Sequence, residues 1–228
     1  LLPDVRATRM TTTVYFDLDG TLLDYTRSFP EMVADALPVP ATEAMVQTYS
    51  DRVLTALDDQ EADPYERAFE TVCAQHDLDA DPRALADEFV RIEVAATHVA
   101  PAAKRLVDVL AGRVQVGILT NGEGSVQRRK AEAHGLDELV EAVIVSNEVG
   151  VRKPQRAIFE TAKERLPADT YVYVGDSFEQ DITPAREYGF RTVYVGDGPR
   201  EDATVAVEGV DALADLLLAL LDGTGNGR

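Results

Sequence analysis

Cysteine occurs once, at Cys73, and tryptophan not at all. A single cysteine excludes an intramolecular disulfide and any cysteine-rich metal cluster, and it fits an intracellular, cytoplasmic setting. Lysine is nearly as scarce: Lys104, Lys130, Lys153 and Lys163 stand beside eighteen arginines. No apolar run approaches the ~18 residues needed to span a bilayer. The longest apolar-rich stretch, residues 213–221, is broken by Asp215 and closed by Asp222, the pattern of an amphipathic closing helix. The first thirteen residues lack the basic region, apolar core and cleavage site of a signal peptide. Met10 stands just before the first strand-like run, so residues 1–9 are expected to be an extension with no part in the fold.

Acid is what the chain has in excess. Asp and Glu number 41 against 22 Lys and Arg, a formal charge of −19. Such a surface repels nucleic acid and anionic lipid, so neither is expected as a partner. The acids are spread along the whole chain rather than gathered in a tail, which argues against a disordered acidic interaction segment. Dispersed acid with little lysine resembles proteins that stay soluble in concentrated cytoplasmic salt, a halophilic composition. With 228 residues and a hydrophobic fraction of 45%, the chain can bury one large core, or a core domain plus a small insert.

Five short β-rich runs recur: residues 12–18, 114–120, 142–146, 171–175 and 192–195. They are mostly apolar rather than alternating, as in central strands covered on both faces. Helical stretches lie between and after them, at 102–111, 124–134, 155–165, 180–188 and 210–221. This alternation predicts an α/β fold with a doubly wound, Rossmann-like parallel sheet. One segment breaks the pattern. Between the first strand and residue 101 no strand is expected; residues 28–37, 42–57, 65–76 and 83–97 read as four helices. Thr42, Asp63-Pro64 and Asp81-Pro82 supply start signals for three of them. The expected organisation is a Rossmann-like core made of residues 10–25 and 99–228, with residues 26–98 as an inserted helical domain.

Four groups of residues sit where such a sheet places ligands, at the carboxyl ends of its strands. The first is Asp17-Leu18-Asp19-Gly20-Thr21-Leu22, where a turn can bring both carboxylates toward one pocket. An ordinary acidic turn reads the same way, and Asp-x-Asp-Gly also opens a calcium loop, although the later ligands of that loop are missing. The second is Thr120-Asn121-Gly122, whose hydroxyl and backbone N–H groups can hold phosphate oxygens at a helix start; simple N-capping is the alternative. The third is Lys153. A lysine retained by a chain that nearly avoids the residue suits a buried anionic intermediate, with Arg152 as its competitor. The fourth is Gly175-Asp176-Ser177 with Asp181 about one helical turn on; a capping acid explains one of these aspartates but not both.

Together, and in this order, the four groups resemble the four motifs of the haloacid dehalogenase superfamily over residues 12–200. The helical insert is similar to the superfamily's first class of cap domain. The resemblance implies that Asp17 is the nucleophile and forms an aspartyl phosphate. Asp19 acts as proton donor to the leaving group and then as proton acceptor from water. Mg²⁺ is implied as the cofactor, held by the Asp17 carboxylate, the Asp19 backbone carbonyl and Asp176, with Asp181 as a ligand through water or as the residue orienting Lys153. Thr120, Asn121, Gly122 and Lys153 would gather the phosphoryl oxygens. The aspartate at position 19 separates the chain from dehalogenases, which lack it, and from the ion-pumping ATPases, which carry threonine. It points to hydrolysis of a small phosphorylated metabolite or to a phosphomutase. Mutases of this cap class often have an acid before the fourth-motif aspartate, where this chain has Gly175, so hydrolysis is favoured. Residues 118–162 most resemble nucleotidase-like and sugar-acid phosphatase members. A phospho-acceptor signalling domain would be about half this length without the insert, and a non-catalytic binding protein would be expected to lack one of the motif residues. Within the insert and its edges, Tyr25, Arg27, Arg52, Tyr65, Arg67, Arg91 and His98 are candidates to read the leaving group, Tyr25 and Arg27 before the others.

Overall fold

The computed structural model describes residues 10–196, 203–208 and 212–213. The expected N-terminal extension, and the closing helix over 210–221 apart from Ala212 and Leu213, lie outside the described residues. The chain begins with β1 (Thr12–Phe16), β2 (Leu23–Tyr25) and four helices: α1 (Phe29–Ala36), α2 (Glu43–Asp58), α3 (Pro64–Gln75) and α4 (Pro82–Ala96). It returns through β3 (Thr97–Val99) into α5 (Pro101–Ala111), β4 (Gln115–Thr120), α6 (Gly124–Ala133), β5 (Ala142–Val145), the short α7 (Ser146–Val149) and α8 (Arg156–Arg165). Then come β6 (Thr170–Gly175), a π-helical turn (Phe178–Ile182), α9 (Thr183–Glu187), β7 (Arg191–Val195) and β8 (Val205–Val207).

Six strands form one parallel sheet in the order β5-β4-β1-β6-β7-β8. Successive side chains of a strand point to opposite faces, and the sheet uses both. Val14 and Phe16 of β1 join Ile118 and Val174 in a layer closed by Leu106 and Leu110 of α5 and Ala131 of α6. Tyr15 faces the other way, with Leu119 and Tyr173, against Ile158 and Phe159 of α8, Ala185 of α9 and Phe190. Burial on both faces explains why the strands read as apolar runs. In the centre, Phe16 is registered with Ile118 of β4 on one flank and with Val174 of β6 on the other. The chain moves outward from β1 through β4 and β5, then crosses to build the opposite half from β6. The crevice belongs at that reversal, beyond the carboxyl ends of β1, β4 and β6.

The four helices between β2 and β3 bury a separate apolar cluster that includes Met32, Val53, Val72 and Leu85. Its centre is aromatic: the Tyr49 ring lies 4.4 Å from that of Phe69 and 5.2 Å from that of Phe89. Fully burying one such side chain contributes about 1.5–3 kcal/mol, so the insert carries a core of its own. All three expected start signals stand at helix starts, two through a capping side chain and the third through Pro64 in the first turn of α3. Thr42 accepts a bond from the Met45 N–H at 3.2 Å and Asp81 one from the Arg83 N–H at 3.1 Å. Asp63 precedes α3 in a left-handed conformation, φ 53°, and its side chain makes no cap bond.

The structure corrects the expectation of no strand before residue 101. β2 and β3 pair antiparallel, Leu23 with Val99 and Tyr25 with Thr97, where the chain leaves and re-enters the helical insert. Three residues per strand, with exposed Asp24 and His98 opposite each other, are too few to show a two-residue period in the sequence.

Candidate active site

Sheet register delivers the sequence-predicted residues to one edge. Asp17 directly follows β1, and its N–H donates to the Val174 carbonyl of β6 at 2.9 Å. Thr120 is the last residue of β4, and Asp176 directly follows β6. The turn after Asp19 needs glycine twice over. Gly20 has φ +80°, and a Cβ there would lie 2.3 Å from Asp176 Oδ2, so only a residue without a side chain lets the two acidic loops meet.

Lys153 reaches the same edge from the loop between α7 and α8. Its Nζ is 2.8 Å from Asp17 Oδ1 and 2.6 Å from Asp181 Oδ1, and it donates to the Tyr173 hydroxyl at 3.0 Å. Arg152, the competing cation, instead pairs with Asp58 of α2. The wide π-helical turn presents Asp181 to Lys153. The other oxygen of Asp181 accepts from the Ser177 N–H at 3.1 Å, and the residue is fully buried. Burial pushes the Asp17 carboxyl up to about 7 despite Lys153, with Asp181 and Asp19 adding repulsion. Asp176 is also raised, first by burial and then by Asp181.

Asp19 faces a second cation. Lys130 Nζ lies 3.2 Å from Asp19 Oδ1, Gln127 Nε2 donates to Oδ2 at 2.7 Å, and the Tyr25 hydroxyl donates to Oδ1 at 2.8 Å. Burial works against the charged carboxylate, but Lys130, Gln127 and Tyr25 together outweigh it and hold the group below the usual range. Burial opposes the charge on Lys130, but Glu93 and Asp19 more than offset that and hold the ammonium above its ordinary range. Thus two carboxylates two residues apart rest on two different lysines.

The Thr120-Asn121-Gly122 turn is brought to the same edge. Thr120 is buried, and its hydroxyl accepts from Gln127 Nε2 at 2.9 Å. The Asn121 side chain clasps the Lys153 backbone: Oδ1 accepts from the Lys153 N–H at 2.9 Å, and Nδ2 donates to the Lys153 carbonyl at 3.1 Å. The Gly122 N–H donates to Ser146 Oγ at 3.1 Å. In this conformation, therefore, Asn121 and Gly122 brace the loops of the site, and Thr120 is the member set beside Asp19 through Gln127.

Residues 11–189 match the family model of haloacid dehalogenase-like hydrolases. The chain belongs to that family. A glyceraldehyde 3-phosphate phosphatase from Methanocaldococcus jannaschii is 27% identical over 203 residues, covering 83% of this chain and 86% of that protein. Pyrimidine 5'-nucleotidase YjjG from Escherichia coli is 30% identical over 127 residues, which span 54% of this chain and 56% of that protein. Among solved structures, the magnesium-bound HAD-hydrolase YfnB from Bacillus subtilis superposes with a TM-score of 0.71 at 22% identity, covering 92% of this chain and all of that one. That likeness is one of fold.

The acidic cluster of this haloacid dehalogenase-like hydrolase fits the divalent cation that its motifs imply. Carboxylate oxygens of Asp17, Asp176 and Asp181 all lie within 4.8 Å of one another. They are hard oxygen donors of the kind Mg²⁺ takes. Burial is the first cause of the upward displacement of Asp17 and Asp176, with neighbouring carboxylates adding to it, and a bound cation would favour their ionised forms.

Sequence reasoning did not single out Lys130, Gln127 or Glu93. A signal was present: Lys130 is one of only four lysines, and it follows Gln127 by three residues on α6, which places both on one helix face. Of the two insert-edge residues ranked first, Tyr25 touches Asp19, whereas Arg27 turns away to pair with Asp35 at 2.7 Å.

Proposed function

We propose that the chain is a Mg²⁺-dependent phosphomonoester hydrolase that acts on a small phosphorylated metabolite through an aspartyl phosphate on Asp17. The observation that carries this reading is the division of labour between the two strand-end carboxylates. Asp17 rests on Lys153 and belongs to the acidic cluster. Asp19 is turned from that cluster to Lys130, Gln127 and Tyr25. One carboxylate is set to attack phosphorus and the other to move a proton.

The Asp17 carboxylate attacks phosphorus, and the bond to the leaving oxygen breaks. Asp19, which must first take up a proton against the pull of Lys130, Gln127 and Tyr25, gives that proton to the leaving oxygen. Water then attacks the phosphoryl group on Asp17 while Asp19, ionised again, takes the water's proton; phosphate leaves and Asp17 is restored. The Thr120 hydroxyl, backbone N–H groups of its loop and Lys153 gather the phosphoryl oxygens, so that their charge is met by fixed donors. Asp17, Asp176 and the Asp19 backbone carbonyl would hold Mg²⁺, which would supply charge neutralisation to the site. Both Asp181 oxygens are engaged by Lys153, Tyr173 and Ser177, which favours its role as the residue that orients Lys153.

Hydrolysis rather than mutase chemistry is supported at position 175. A Cβ there would lie 2.6 Å from Asp181, so the acid typical of mutases has no room. Residues 26–98 act as a cap over a core of 10–25 and 99–228. Glu93 with Lys130, Asp58 with Arg152, and the Asn147 side chain with the Glu61 carbonyl join the two parts. Closure of a cap excludes water and strengthens each charge contact inside. The names of the phosphatase and nucleotidase relatives support a phosphorylated metabolite as substrate. Among the described residues no helix is long and apolar enough to cross a membrane, and the lone Cys73 supports a cytoplasmic setting. The test is hydrolysis of p-nitrophenyl phosphate with Mg²⁺ and with excess chelator. Activity with the metal and its loss with chelator are expected; full activity in chelator contradicts the metal's role.

A further inference from the structure

Lys130 gathers groups from three parts of the molecule. It projects from α6 and is 2% exposed. Its Nζ lies 2.8 Å from Glu93 Oε1 on α4, the last helix of the insert. The same ammonium donates to the Tyr25 hydroxyl of β2 at 2.6 Å and reaches Asp19 Oδ1 at 3.2 Å. Tyr25 lies 3.3 Å from Glu93 Oε1 and donates to Asp19 at 2.8 Å. Core loop, connecting strand and insert therefore share one buried charge.

Stability is a poor account of this arrangement. The desolvation of a buried ion pair commonly offsets its Coulombic gain, and apolar residues of similar volume often serve as well. Here the burial is not even fully compensated, because Glu93 Oε2 is buried without a hydrogen-bond partner. What the arrangement does achieve is orientation. Lys130, Tyr25 and Gln127 fix both oxygens of Asp19, and Glu93 in turn fixes Lys130 from the insert side.

We propose that Lys130 is a positioning residue that aims Asp19 at the leaving-group oxygen, and that Glu93 makes this aim depend on the insert being seated against the core. The inference rests on the phosphatase reading above and extends it. Proton transfer at the leaving oxygen then becomes available when the insert closes, so that the part of the protein that meets the leaving group also readies the carboxylate that protonates it. A phosphate ester with a good leaving group needs that proton little; an alkyl phosphate needs it fully.

The experiment is steady-state kinetics with Mg²⁺ on p-nitrophenyl phosphate and glycerol phosphate, for the wild type, Lys130→Met and Glu93→Gln, with thermal melts to check folding. Lys130→Met is expected to lose about 100-fold or more in kcat on the alkyl ester, the scale of a general acid's contribution, and at least tenfold less on the aryl ester. Glu93→Gln, which keeps the shape and removes the insert's charge, is expected to show the same selectivity at smaller amplitude. Equal losses on both esters, or none, in folded variants overturn the inference while leaving the phosphatase reading intact. If Lys130→Met does not fold, Glu93→Gln decides by the same ratio. A wild type that hydrolyses neither ester removes the reading and this inference together.

Discussion

Asp17 and Asp19 show how much a strand end can differentiate two identical side chains. Each is fixed by its own lysine, and each lysine carries a second acid, Asp181 for Lys153 and Glu93 for Lys130. Asp17→Asn removes the proposed nucleophile and an acidic-cluster member together, so turnover is expected to vanish in a protein that circular dichroism shows folded. Asp19→Asn is expected to cost about 10²–10⁴-fold on alkyl phosphates and far less on aryl phosphates. Unimpaired turnover by Asp17→Asn, or equal losses on both esters for Asp19→Asn, contradicts the assigned roles. Asp17, Asp19, Thr120 and Asp176 were picked out in the sequence because each sits at a strand end or in the turn that follows a strand, Lys153 because the chain nearly avoids lysine, and Asp181 because a capping acid explains only one aspartate of the pair. Gln127, Lys130 and Glu93 were not, because helix positions gain their meaning from whichever element packs over them. Scarcity of lysine and the shared helix face with Gln127 are signals at Lys130, but neither says which acid the residue faces.

At the scale of elements, the apolar runs gave the central strands and the alternation gave the doubly wound order. Short elements escaped. β2 and β3 are three residues each, β8 is three and α7 is four, too brief for any period to register. The helix expected over 180–188 is a π-helical turn followed by a short α-helix, a distinction that depends on where Asp181 is drawn. One further joint lies at the end of α6, where His134 Nε2 is 2.8 Å from Thr97 Oγ1 of β3. Burial, then Lys104 and His98, hold the imidazole below its ordinary range. Protonating it is therefore harder in the folded chain than in the unfolded one. Its contribution to stability is full above the unfolded value of about 6.5 and is lost as pH falls through the lower folded value. Melting temperatures between pH 8 and 5 should fall more for the wild type than for His134→Gln; parallel curves contradict this.

The whole molecule carries a formal charge of −19, and its self-repulsion favours expansion unless screened. Ordinary screening is largely complete at physiological ionic strength, where the Debye length is about 8 Å. A halophilic origin predicts a melting temperature that keeps rising into molar KCl, through ion binding or stronger effective burial of apolar surface. A maximum near ~0.15 M salt followed by a decline contradicts it. The acidity also has a local counterpart in the cluster around Asp17, where the carboxylates of Asp17, Asp176 and Asp181 lie close enough together to hold a divalent cation beside the buried Lys153. Fold and family leave the reaction itself to be tested. The most direct test is to mix enzyme, Mg²⁺ and a phosphomonoester, quench in acid within a turnover, and read the peptide containing Asp17 by mass spectrometry. The expected result is a phosphoryl group on Asp17 in the wild type, accumulating further in Asp19→Asn, where activation of water is impaired. Steady release of phosphate with Asp17 never modified in either protein would contradict it.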